Sequence, residues 1–156
     1  MQRIFERRRW LTHFAPLAVW TIVILGLGGP IGSMNETSRF VRPLLEFLFP
    51  SSSPETLTLI HGYIRKSAHF VEYGVLGYLA FRAFLSLAFS RRIAWAFILS
   101  IAFSSGIASL DEYQQSFNPE RTSSVFDSLI DIAGAAVGAF LSYLWLKSRK
   151  TPNLDI

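Results

Sequence analysis

Cysteine is absent from this chain of 156 residues, and histidine occurs only three times. The lack of cysteine excludes disulfides, thiolate catalysis and cysteine-ligated metal sites. The three histidines form no H-x-x-x-H or H-E-x-x-H motif, so the common two-histidine metal motifs are absent as well. The chain also has no G-x-S-x-G nucleophile elbow, which argues against a serine hydrolase of that type.

Apolar residues are abundant instead, at 51% of the chain, and they are concentrated in four runs of nearly membrane-spanning length. These runs lie at about 11–29, 67–89, 93–110 and 128–146. Because they use most of the chain, the sequence predicts one all-α membrane domain over residues 1–156, built as a four-transmembrane-helix bundle. The first run follows basic residues but lacks a small-x-small cleavage motif, so a retained helix is predicted rather than a signal peptide.

The connection between the first and second runs has structure of its own. Its apolar segment at about 40–49 is too short to span a bilayer and is predicted to be interfacial or re-entrant. Ser53, Pro54 and Glu55 then predict a helix start, with a cap, a first-turn proline and an acid near the positive helix end. The second helix should therefore begin outside the membrane, with Gly62 as a candidate break.

Glycine marks two further features of the predicted bundle. The stretch 26–30, Gly-Leu-Gly-Gly-Pro, predicts a stop for the first helix. In the fourth helix, Gly134 and Gly138 have the Gly-x-x-x-Gly spacing that lets two membrane helices approach closely.

Lysine and arginine are distributed unevenly between the two ends of the predicted helices. In a four-pass topology, nine of the 15 fall on the side of the termini and five on the other side. This bias predicts a multi-pass cell-membrane protein with both termini in the cytoplasm. It also explains the basic composition, so nucleic-acid binding is not predicted. The nine are Arg3, Arg7, Arg8, Arg9, Arg91, Arg92, Lys147, Arg149 and Lys150, the five are Arg39, Arg42, Arg65, Lys66 and Arg121, and Arg82 lies inside a helix and can snorkel inward.

Under this topology, polar residues of three helices meet at the outer membrane face. Lys66, His69 and Tyr73 share one helical face, and Asp127 and Asp131 lie one turn apart. Because ionisable groups are costly in lipid, the set predicts a functional pocket, with a structural polar network as the alternative. The candidate catalytic residues are Glu112, His69 and Asp111, and the candidate ligand-binding residues are Arg65, Lys66, Glu72, Tyr73, Gln115, Arg121, Asp127 and Asp131.

No cofactor is predicted from the sequence, and no residue is assigned to a metal. His69 with Glu72, Asp111, Glu112 or Asp131 could supply a one-histidine, several-carboxylate set for a divalent metal. The absence of a second histidine at motif spacing makes this the lesser alternative.

Three blocks of residues, each present once in the chain, have the order and spacing of a known family's motifs. They are Lys66, His69, Phe70, Tyr73 and Leu76; then Asp111, Glu112, Gln115, Phe117, Pro119 and Arg121; then Asp127, Asp131, Gly134 and Gly138. With these blocks the chain resembles the VanZ-like family of small bacterial membrane proteins, named for a teicoplanin-resistance protein. The resemblance implies a cell-envelope role linked to glycopeptide or lipoglycopeptide susceptibility, and no particular reaction. The family usually has asparagine where this chain has Asp131, which adds a carboxylate here.

The first functional hypothesis is that the pocket binds or processes an anionic, lipid-like or cell-wall-related amphiphile. Arg65, Lys66, His69 and Arg121 would receive its phosphate headgroup. A carboxylate, Glu112 or Asp111, would act as acid or base if a reaction occurs, so enzymatic activity stays open. The partner would then be a membrane lipid or a lipid-linked ligand.

The second hypothesis is a non-catalytic membrane scaffold. Its polar cluster would hold the helices together, and the segment at about 40–49 would dock a membrane-protein partner, with the oligomeric state left open. A transporter or channel is the weakest hypothesis, because the inner half of the predicted helices offers no polar path and Arg82 is its one mid-helix charge.

Overall fold

Five α-helices make up the computed structural model over the residues it describes, 2–29, 33–87, 93–117 and 125–149. The predicted all-α class is therefore confirmed for these residues, where each predicted apolar run overlaps one helix. The helices are α1 (Gln2–Leu27), α2 (Met34–Leu48), α3 (Pro54–Leu85), α4 (Ile93–Gln115) and α5 (Val125–Arg149).

Three of the described helices are long and apolar enough to cross a membrane. The candidate spans are Trp10–Leu27 in α1, Ile93–Gln115 in α4 and Phe126–Arg149 in α5. The 32-residue α3 is longer, but charged and polar residues, Glu72 and Arg82 among them, interrupt its apolar part. The fourth predicted span, 67–89, overlaps α3 and stays a prediction.

The start of α3 follows its sequence signals. The Ser53 side chain accepts a hydrogen bond from the backbone N–H of Thr56 at 3.3 Å, and Pro54 occupies the first turn. The helix then continues through Gly62, so the break considered there is wrong. A single glycine inside a helix costs only about 1 kcal/mol, which is too little to interrupt a helix that packs on both sides of it.

Helix α3 is the centre of the molecule, because it contacts each of the other four helices and packs most extensively on α5. Glycines permit this contact. A Cβ atom added to Gly138 would overlap the carbonyl of Gly74, and one added to Gly134 would overlap the carbonyl of Phe70. The close approach predicted from the Gly-x-x-x-Gly spacing is thus confirmed, and it brings the backbones of α3 and α5 into direct contact.

Large apolar side chains and alanines fill the space between the helices. The largest fully buried apolar side chains are Tyr73, Leu76 and Phe81 of α3 and Ile24 of α1, and they cluster with alanines of α3, α4 and α5. Trp145 of α5 faces the guanidinium of Arg82 at 5.1 Å, which gives this mid-helix charge an aromatic partner.

Helix α2 rests on the first turns of α3 and corresponds to the segment predicted at about 40–49. Leu45 is buried in the contact. His61 of α3 lies 3.2 Å from the Thr37 hydroxyl and 3.3 Å from the Ser38 hydroxyl. Burial, followed by the charge of Arg65, holds the pKa of His61 below its ordinary value, so a neutral imidazole makes these two bonds near pH 7.

Candidate functional site

Three helices bring one titratable side chain each to a common point. His69 of α3, Asp111 of α4 and Asp131 of α5 each offer one nitrogen or oxygen atom, and these atoms lie within 4.8 Å of one another. We call these three residues the buried triad. His69 Nδ1 lies 3.4 Å from Asp131 Oδ1. Asp111 and Asp131 are 2% and 1% exposed, so two carboxylates are almost entirely removed from solvent.

The glycine contact between α3 and α5 positions two members of the triad. Phe70, whose carbonyl faces Gly134, directly follows His69 in α3. Asp131 precedes Gly134 by one turn of α5. The close backbone approach therefore places the imidazole and the carboxylate at opposite sides of one narrow interface.

The third member, Asp111, is held from two directions. Gln115, one turn later in α4, donates its side-chain N–H to Asp111 Oδ2 at 3.0 Å, and both residues are buried. On the other side, a Cβ atom at Gly28 would overlap Asp111 Oδ1. The end of α1 thus leaves room for this carboxylate only because residue 28 has no side chain.

The sequence did not predict Gly28 as part of the site, because the Gly-Leu-Gly-Gly-Pro stretch was interpreted only as a helix stop. The contact between Trp20 and α3 was missed as well. Trp20 donates its indole N–H to the backbone carbonyl of Glu72 at 2.9 Å, and this hydrogen bond holds α1 against α3. The indole in the first apolar run was a signal, since a tryptophan N–H within a membrane needs an acceptor.

Tyr73 lies one turn after His69 on the same face of α3. It is fully buried, and within the described ranges its hydroxyl has no hydrogen-bond partner. The charges of Asp111 and Asp131 both act on this hydroxyl. A buried hydroxyl without a partner is rare in proteins, and here it lies beside two carboxylates.

A second group of predicted residues forms the rim of the site. Lys66 Nζ lies 3.2 Å from Asp127 Oδ1, and their side chains are 53% and 29% exposed. Glu112 is partly exposed and lies in the electrostatic range of Asp127 and the two triad carboxylates. Glu72 is partly buried, and its charge acts on His69. The rim is therefore the solvent-accessible part of the site.

Of the other two predicted cations, one contacts a different helix and one is not described by the structure. Arg65 points its guanidinium at α2, where Nη1 lies 3.6 Å from the sulfur of Met34. Arg121 lies outside the described residues. Of the described cations that the sequence proposed for a phosphate, the structure therefore places Lys66 and His69 at the site and directs Arg65 toward α2.

The charge balance limits what the site can do. Among the described residues it contains five carboxylates, two of them buried, against one lysine and one histidine. The hydroxyls of Ser109 and Ser116, two serines near the site in sequence, donate to backbone carbonyls of α4. Among the described residues, the interior is therefore suited to a cation or to proton transfer, and the lysine lies at the rim.

Comparison with known proteins gives one match. No curated protein and no solved structure matches the chain. The model of the VanZ/LLP1 family matches residues 12–146, which includes all three motif blocks and the whole buried triad. This confirms the resemblance drawn from the motifs: the chain belongs to the VanZ/LLP1 family.

Proposed function

We propose that this VanZ/LLP1 protein crosses the cell membrane four times, through α1, α3, α4 and α5. Both termini would then lie in the cytoplasm. Three helices already have the length and composition of membrane spans. α3 packs among them, and its polar residues His69 and Tyr73 face the site, which is where membrane helices place such groups. The excess of lysine and arginine beside the termini supports the orientation.

Helix α2 fits an interfacial position on the outer side. Its uncovered apolar side chains lie on one face and are Phe40, Leu44, Phe47 and Leu48, with Phe40 and Phe47 each 81% exposed. Its charged residues form two ion pairs along the helix, Arg39 with Glu36 and Arg42 with Glu46. A 15-residue helix of this kind is too short to span but suited to the headgroup boundary.

Because the chain has no cysteine, single cysteines report this topology directly. In intact cells, Ser51→Cys should react with a membrane-impermeant maleimide, while Ser90→Cys, between α3 and α4 in the chain, should react only after permeabilisation. The cysteine-free parent is the control. Labelling of both positions from outside would contradict a crossing by α3.

We propose further that the site at the outer face binds the headgroup of an anionic amphiphile, such as a phospholipid or a lipid-linked cell-wall precursor. The half-exposed ammonium group of Lys66 at the rim carries this proposal, since it lies beside a cluster of ionisable groups of the kind that marks functional sites in membrane proteins. Lys66 at the rim would contact the phosphate, and Glu112 beside it is the candidate acid or base.

Lys66→Ala tests the headgroup contact. The purified variant should retain phosphate-bearing lipid about tenfold less strongly than wild type in native mass spectrometry, because a hydrogen bond to a charged group contributes about 1.5–3 kcal/mol. The test panel should contain a phospholipid, a polyprenyl phosphate and a lipoglycopeptide, which also examines the link to antibiotic susceptibility.

The matched control is Arg39→Ala, which removes a cation on the same proposed membrane side but away from the site. Equal lipid retention by wild type and both variants would exclude a headgroup contact at Lys66. If Glu112→Gln abolishes conversion of a bound amphiphile while leaving retention intact, the site is catalytic; unchanged binding and no conversion in wild type would make it a binding site.

A further inference from the structure

We propose that the buried triad of His69, Asp111 and Asp131 is a binding site for one divalent transition-metal cation, such as Mn²⁺ or Zn²⁺. One imidazole nitrogen and two carboxylate oxygens come from three different helices and lie within 4.8 Å of one another. This inference depends only on the triad, and it holds whether or not the rim binds an amphiphile.

The donor atoms determine the class of cation. An imidazole suits Zn²⁺ or Fe²⁺ and carboxylates suit Mn²⁺, so a mixed nitrogen and oxygen set fits a divalent transition metal better than Ca²⁺ or Mg²⁺, which prefer oxygen ligands alone. Metal–ligand bonds of about 2.0–2.2 Å would require the three side chains to draw together slightly. Three protein ligands leave at least one coordination position for water or for an oxygen of a ligand.

Charge is the second argument. Asp111 and Asp131 are 2% and 1% exposed. Two adjacent carboxylates away from solvent repel each other and lose hydration, whereas a divalent cation between them would offset both costs.

The surroundings of the triad match those of metal sites. Gln115 orients the Asp111 carboxylate from one turn away, as outer-shell partners of metal ligands do. The Tyr73 hydroxyl is fully buried and has no hydrogen-bond partner in the part of the chain that the structure describes. This polar atom, one turn from His69, is an independent sign of a ligand position.

Wild-type protein provides the direct test. The full chain is purified in detergent, stripped with a chelator and titrated with Mn²⁺ and with Zn²⁺ alone. We expect one ion per chain, a rise in the unfolding temperature, and, for Mn²⁺, electron spin-echo modulation from one ¹⁴N nucleus, the His69 imidazole.

Variants then locate the ion. Asp111→Asn should weaken Mn²⁺ binding at least tenfold, and Gly28→Val should do the same by displacing the Asp111 carboxylate without altering any polar residue. Gly26→Val is the matched control, because a side chain at Gly26 meets no atom within 4 Å.

Less than half an ion per chain, or an ion without the ¹⁴N modulation, would overturn the proposal. So would equal affinities of wild type and Asp111→Asn. Loss of Mn²⁺ binding with retention of phosphate-bearing lipid in Asp111→Asn would separate the metal site from the proposed headgroup contact.

Discussion

Gly138→Ala should lower the free energy of unfolding by about 1–3 kcal/mol, the usual cost of forcing an extra carbon into a packed interior. The added Cβ atom would overlap the carbonyl of Gly74. A backbone carbonyl within a helix cannot rotate away as a side chain can, so α3 and α5 must separate. The measurement is reversible unfolding in mixed micelles.

The same change should also disturb the site. Phe70, beside His69, meets α5 at Gly134, one turn from Gly138. A separation of the two helices would move the imidazole away from Asp131. We therefore expect Gly138→Ala to weaken ligand binding as well as stability, although it replaces no polar group.

Gly106→Ala is the matched control, because a Cβ atom at Gly106 in α4 meets nothing within 4 Å. This variant should be as stable as wild type or gain up to about 1 kcal/mol from helix propensity. Equal effects of the two substitutions would show that α3 and α5 are not in direct backbone contact.

Asp131→Asn is the second substitution with a large expected effect. Its effect on stability distinguishes the hypothesis of a ligand site from that of a structural network. Without a cation, the variant should be at least as stable as wild type, since it removes the repulsion between two buried carboxylates. Its amide oxygen can still face His69. With a cation, the order should reverse, because only wild type keeps the complete triad.

A structural network predicts the opposite. If the contact between His69 and Asp131 at 3.4 Å held the bundle as an ion pair, loss of the carboxylate would leave a charged imidazole buried without its partner. Breaking a buried pair in this way costs about 3–5 kcal/mol. The two accounts therefore differ in the sign of the stability change.

Local sequence signals predicted the elements of the fold well. The cap at Ser53 and Pro54 marked the true start of α3, and the spacing of Gly134 and Gly138 identified the helix face that meets α3. These signals depend on residues within a turn or two of each other. The prediction of a helix break at Gly62 was wrong because local patterns do not include the contacts that α3 makes there with α2.

Periodicity predicted which residues lie close together, but it did not predict which of them are buried and which are exposed. It placed His69 and Tyr73 on one face, and the topology brought Asp111 and Asp131 to the same end of the bundle. The division into a buried triad and an exposed rim depends on how far each helix is rotated, which is set by packing. The contacts of Gly28 and Trp20 were not predicted because they join α1 to helices far along the chain.

The free energy of unfolding of Asp131→Asn, measured beside wild type in chelator and again in saturating Mn²⁺, tests the central claim that the buried triad exists for a ligand. We expect the variant to equal or exceed wild type in chelator, and wild type alone to gain stability from the ion. A variant that is less stable than wild type by 3 kcal/mol or more in chelator, with no response of wild type to Mn²⁺, would contradict the claim and make the triad a structural network.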